Sequence, residues 1–144
     1  MPTLARRVLL LATAAVVAAT AACGGDSGTG PDTSAVAGTY DADTFVTVQN
    51  GVTTDQLANG SSVHLVLAPD GTATGRLFIP QGDAGGGDLD ESLSGTWTLS
   101  GSTVTLSQPA DTFLRDLPLR VRSGWLVGDA AFAGVSVHIT LKRQ

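Results

Sequence analysis

The chain has 144 residues, which suits one domain, and it carries eight Lys and Arg against 13 Asp and Glu, a formal net charge of −5. That balance makes a poor partner for nucleic acid or for anionic lipid heads. With a single cysteine, the chain has neither internal disulfides nor a multi-cysteine metal site.

The N-terminus reads in three parts. Arg6 and Arg7 form a basic start, residues 8–17 an apolar run interrupted by Thr13, and Thr20-Ala21-Ala22-Cys23 a small-residue cleavage site. The run is too short and too rich in alanine to span a bilayer. The lone cysteine stands where a bacterial lipobox puts its modified residue, and Ala21-Ala22-Cys23 resembles that motif. The resemblance implies that residues 1–22 are a cleaved lipoprotein signal peptide. Cys23 is then the lipid attachment site, and the protein is anchored to the membrane of the cell envelope outside the cytoplasm. Gly24 after the cysteine implies the outer membrane where the host has two. Cleavage removes Arg6 and Arg7 but no carboxylate, so the mature chain has six cations against 13 acids and a net charge of −7.

Residues 23–34 are the lipidated cysteine followed by a Gly, Ser, Thr, Asp and Pro-rich stretch, read as a flexible tether. From residue 35 to 144 short segments of Val, Leu, Thr and aromatics alternate with glycine-bearing turns. The pattern predicts eight strands, at 36–48, 61–68, 72–79, 93–99, 102–108, 115–122, 125–132 and 135–142, with a single helical turn in 52–59.

Tight turns set the registers. A two-residue loop at Ala133-Gly134 pairs Phe132 with Val135, Ala130 with Val137, Gly128 with Ile139 and Leu126 with Leu141 on one face. The other face receives Asp129 with His138, Val127 with Thr140 and Trp125 with Lys142. Ser123-Gly124 sets Val121 against Leu126, Leu119 against Gly128 and Leu117 against Ala130, with Arg122 outside beside Trp125. Ser100-Gly101 sets Trp97 against Val104 and Gly95 against Leu106, with Thr98–Thr103 and Thr96–Thr105 outside. At Pro69-Asp70-Gly71 a three-residue loop sorts the faces, pairing Leu67 with Ala73, Leu65 with Gly75 and Val63 with Leu77, and leaves His64 outside beside Arg76.

Eight one-sided strands joined mostly by hairpins form a meander, and closing it hides its edges. The fold class is therefore all-β: an eight-stranded antiparallel up-and-down barrel, with an open sandwich as the alternative. The outward residues are Thr, Ser, Asp, Arg and Lys, which excludes the apolar band of a transmembrane barrel.

The Gly38-Thr39-Tyr40 start, the hairpin run and the turn spacing resemble bacterial lipocalin-like lipoprotein domains across most of residues 36–142. The resemblance implies a non-enzymatic module that holds a small apolar ligand inside the barrel. Small inward residues (Ala73, Gly75, Gly95, Gly128 and Ala130) leave two outcomes open: a cavity, or a tighter barrel filled around Trp97 and Phe132. Tyr40, Trp97 and Arg115, the last given inward parity, are the candidate ligand contacts. A filled barrel instead implies a structural or protein-contact role.

Other candidates are on the surface. Trp125 between Arg122 and Lys142 is a possible partner contact. Asp129 beside His138 lacks a nucleophile, since the chain has no Gly-x-Ser-x-Gly and no second thiol, so an ion pair is expected rather than a catalytic dyad. Two histidines without cysteine make no zinc site. The 80–91 loop offers Asp83, Asp88, Asp90 and Glu91 as oxygen ligands, but their spacing matches no calcium loop and three consecutive glycines favour a solvated tip. No cofactor, metal or catalytic residue is assigned.

Overall fold

The computed structural model describes residues 30–144. The signal segment, Cys23 and most of the tether lie outside the described residues. In chain order the elements are α1 (Thr33–Val36), β1 (Gly38–Gln49), β2 (Val52–Asp55), β3 (Ser62–Leu67), β4 (Thr72–Ile79), β5 (Leu89–Ser100), β6 (Thr103–Ser107), α2 (Phe113–Asp116), β7 (Leu119–Arg122), β8 (Trp125–Phe132) and β9 (Val135–Arg143).

Every strand pairing is antiparallel, and β1 pairs with both β3 and β9, so eight strands close into an up-and-down barrel. The remaining strand, β2, is a short arm on β1. The seam between β1 and β9 runs from Tyr40↔Arg143 to Gln49↔Val135, with a bulge between Ala42 and Thr44. Closure leaves the sheet no long open edge.

Three of the expected hairpins form in the expected register. β8 and β9 pair through Phe132↔Val135 and Asp129↔His138. β7 and β8 pair through Val121↔Leu126 and Arg122↔Trp125. β3 and β4 pair through Leu67↔Ala73 and His64↔Arg76. Around the Pro69 turn, Ala68 N–H donates to the Thr72 carbonyl at 2.8 Å, which makes the loop three residues long.

Five local expectations are corrected. Residues 52–55 form a strand rather than part of a helical turn, because Asn50 and Gly51 both take positive φ (50° and 77°) and make a tight hairpin that returns Val52 opposite Gln49. The β5–β6 loop is Gly101-Ser102 rather than Ser100-Gly101. Gly101 alone takes positive φ, 59°, which is the place of glycine in a II′ turn, and Trp97 therefore faces Leu106 and Thr98 faces Thr105. β5 starts at Leu89 instead of 93, since Leu89 continues the ladder opposite Ile79.

The two others concern the helical turns. Residues 113–116 form one, so β7 keeps only Leu119–Arg122. Arg115 N–H donates to the Thr112 carbonyl at 3.1 Å, and Pro118, which has no N–H for a ladder and disfavours helix in Leu117, marks the change to strand. At the end of the tether, Thr33–Val36 form a helical turn whose Asp32 cap accepts from Ala35 N–H at 2.7 Å.

The interior is filled from the chain itself. Leu65, Leu77, Leu119, Leu126, Ile139 and Leu141 are fully buried with Phe45 and Tyr40 close to it. Each end is covered by a helical turn. At the end where the chain enters, Tyr40 Oη donates to the Val36 carbonyl at 2.6 Å, and the Arg143 guanidinium donates to the carbonyls of Ala35 and Ala37 at 2.7 and 2.6 Å. These bonds tie α1 to both strands of the seam. At the other end α2 inserts Leu114, beside Leu117, and both are fully buried. Phe113 packs between Phe45 and Phe132, with ring centroids 5.4 and 6.4 Å apart.

Candidate functional site

The three candidate ligand contacts do not converge on a common space. Trp97 is buried, and its indole N–H donates to the Ala68 carbonyl at 2.8 Å, which fixes the ring against the β3–β4 turn. Tyr40 is spent on the α1 cover, and burial raises its phenol pKa, an effect the charge of Arg143 partly offsets. Arg115 does not point into the barrel: it stands on α2 with its guanidinium on Asp111 at 2.7 Å and Asp116 at 3.1 Å. Its inward parity assumed a strand that residues 113–116 do not form.

The outer face is more organised. Direct cross-strand pairs run Arg122↔Trp125, Trp125↔Lys142, Lys142↔Asp41, Asp41↔His64 and His64↔Arg76. These six side chains form one row across β7, β8, β9, β1, β3 and β4. In it, Lys142 Nζ lies 5.5 Å from the Trp125 ring centroid. His64 Nδ1 stands 2.5 Å from Asp41 Oδ1. The His64–Asp41 pair was not legible in the sequence, because β1 meets β3 only after the β2 arm intervenes.

Arg76 ends the row and turns to Asp90, with Nε and Nη2 donating to the two carboxylate oxygens at 2.7 and 2.5 Å. This bidentate hydrogen bonding holds the Asp90 carboxyl below its usual pKa. Asp90 and Glu91 therefore belong to β5 and not to a loop, while Asp88 accepts from Gln81 N–H and Asp83 from Gly85 N–H, both at 3.0 Å. The four acids are thus dispersed along the segment, and among the described residues no three His, Cys, Asp or Glu side chains are grouped to hold a metal.

A pH effect follows from the Asp90 shift. Its folded pKa is depressed, so the pair's contribution is present above the unfolded value near 3.8 and is lost as pH falls through the folded value. The urea midpoint should fall as the pH drops below about 4. Asp90→Asn should fall less steeply across the same window, and an identical slope would show that the pair is not linked to folding.

A second outer feature crosses β1, β9 and β8. His138 Nδ1 stands 2.5 Å from Asp129 Oδ1, and beside the pair Val46, Val48 and Ser136 line an open groove of about 350 Å³. Val48 is more than a third exposed. The groove depends on the closing seam, which no local turn signal encodes. Ser136 brings a hydroxyl to the residues that line this groove, but no hydrogen bond joins it to the His138–Asp129 pair, so the arrangement lacks the nucleophile–base contact of a catalytic site.

Compared with models of known protein families, with curated proteins and with solved structures, the chain gives no match. The reading of its function therefore rests on its own residues.

Proposed function

We propose that this protein is a lipid-anchored envelope protein whose barrel acts through its outer surface, as a structural or protein-contact module without catalytic activity. The observation that carries this reading is the interior. Fully buried leucines occupy it, and its two ends are covered by Val36 of α1 and by Leu114 of α2 with Leu117 just after it. An eight-stranded barrel has room for its own side chains or for one small ligand, and here the side chains take that room. The anchor is supported by Cys23 after an apolar run and by the Gly-rich stretch that follows it.

The outer groove at Val46 and Val48 supports a second reading, a small ligand held on the surface. Its volume lies at the low end of ligand sites, and its open side leaves such a ligand largely in water.

Two measurements test the proposal. Cys23→Ser protein is expected in the soluble fraction of cells, and retention in the membrane fraction would remove the anchor from the account. Native mass spectrometry of the purified protein is expected to give the mass of the polypeptide (with its acyl chains when Cys23 is present). A stoichiometric adduct that survives purification would favour the ligand-binding module instead.

A further inference from the structure

Six Lys and Arg fall among the described residues. Three have partners: Arg76 on Asp90, Arg115 on Asp111 and Asp116, and Arg143 on the Ala35 and Ala37 carbonyls. Arg120, Arg122 and Lys142 make no ion pair among the described residues, and all three are exposed. They stand on adjacent strands around Trp125: Arg122 opposite it on β7, Lys142 opposite it on β9, and Arg120 two residues along β7. The neighbouring carboxylates are engaged elsewhere, Asp41 with His64 and Asp129 with His138. An acidic protein thus gathers its unpaired cations around one tryptophan.

The position of this patch is the second observation. The chain enters the described structure at Gly30, packed so closely on the β5–β6 turn that a Cβ there would stand 2.9 Å from the Gly101 carbonyl oxygen. Val121 N–H donates to the Ser102 carbonyl at 2.8 Å, which joins that turn to β7. Arg143 N–H donates to the Gly124 carbonyl at 2.9 Å, which joins the β7–β8 turn to β9. Arg122 and Trp125 flank that turn, so the patch and the point of chain entry share one end of the barrel. Residues 24–29 separate Cys23 from Gly30, and even fully extended they reach roughly 25 Å.

We infer that Arg120, Arg122, Trp125 and Lys142 form the membrane-facing surface of the protein and rest on lipid phosphates at the bilayer interface. The inference rests on the lipid anchor proposed above. The mature net charge of −7 opposes adsorption of the free domain, so the acyl chains supply the attachment and the patch selects which face meets the bilayer. Tryptophan and long cationic side chains suit that boundary, with apolar bodies toward the lipid and polar ends in water. Arg and Lys also donate hydrogen bonds that phosphate oxygens accept.

The test uses the lipidated mature protein in vesicles of phosphatidylcholine and phosphatidylglycerol that carry bromine on the upper acyl chain. Trp125→Phe protein, which keeps Trp97, gives the signal to subtract. The Trp125 emission is expected to be largely quenched by the brominated lipid, while Trp97 is unaffected. Replacing Arg120, Arg122 and Lys142 with Gln is expected to remove most of that quenching without changing flotation with the vesicles. Flotation without quenching of Trp125 would overturn the inference and leave the patch to an acidic protein partner, with the anchor intact. Failure to float would overturn the anchor and the inference together.

Discussion

Gly95→Ala is expected to cost about 3 kcal/mol or more of folding stability, the upper end of the range for overpacked sites. An alanine Cβ at this position would lie 2.0 Å from the Ser107 carbonyl oxygen and 3.0 Å from Gln108 Cα. Those are backbone atoms of β6 and of the residue that follows it, and no rotamer change can move them. Gly75 is built alike, with a Cβ position 2.1 Å from the His64 carbonyl oxygen, so Gly75→Ala should behave in the same way. These glycines let strands approach closely where the barrel coils, a recognised use of glycine inside a strand. They leave no hollow for a ligand. Ser94→Ala, one residue earlier and exposed, is the control and should stay within about 0.5 kcal/mol of the parent. Urea denaturation of the three variants measures this directly, and equal midpoints for Gly95→Ala and Ser94→Ala would contradict it.

Leu114→Ala is expected to destabilise by about 2–5 kcal/mol and to open the end of the barrel that α2 covers. Leu114 is fully buried although it belongs to a helical turn of only four residues. Such a turn has too few backbone hydrogen bonds to persist alone, so its apolar contacts hold it in place. Removing the isobutyl group takes away transfer energy and leaves a void beside Leu117 and the Phe45–Phe113–Phe132 stack. The void is apolar, so it should stay dry and accept a small apolar molecule. The chemical-denaturation midpoint reads the first effect. The second should appear as binding of an apolar fluorophore that the parent does not bind. A variant with parent-like stability would mean that α2 lies on the barrel without closing it.

How much of this could be read from the residues depends on the distance over which each signal acts. The β3–β4, β7–β8 and β8–β9 registers were legible because each is set by a turn a few residues away. The β5–β6 register was not, although every side chain was assigned to its proper face. A slip of two residues preserves the inward–outward alternation, so face sorting cannot detect it. The signal that distinguishes the two loops is the II′ preference for glycine in first position, which favours Gly101-Ser102. Asn50-Gly51 likewise carries the I′ hairpin signal of the β2 arm, which the helical turn expected in 52–59 leaves out of account. In the segment 115–122, Leu117 and Leu119 alternate like a strand, while Leu114 and Leu117 have helical spacing. Burial of both Leu114 and Leu117 at the barrel end decides in favour of the helical turn.

Surface features separate along the same line. Trp125 with Arg122 and Lys142 follows from two adjacent hairpins, and the structure brings those side chains together. The His64–Asp41 pair and the groove at Val46 and Val48 need strands that meet across the closing seam or past the β2 arm. No short-range pattern encodes such contacts. Arg115 shows the converse: its assignment rested on parity alone, and parity loses meaning where a strand gives way to a helical turn.

A filled interior is best tested by titrating the parent protein with a fluorophore that brightens in apolar cavities, with Leu114→Ala alongside as the cavity-bearing reference. The parent should give no saturable rise while the variant does. A one-to-one saturable rise in the parent, displaced by a fatty acid, would place an open chamber inside the barrel and contradict the account.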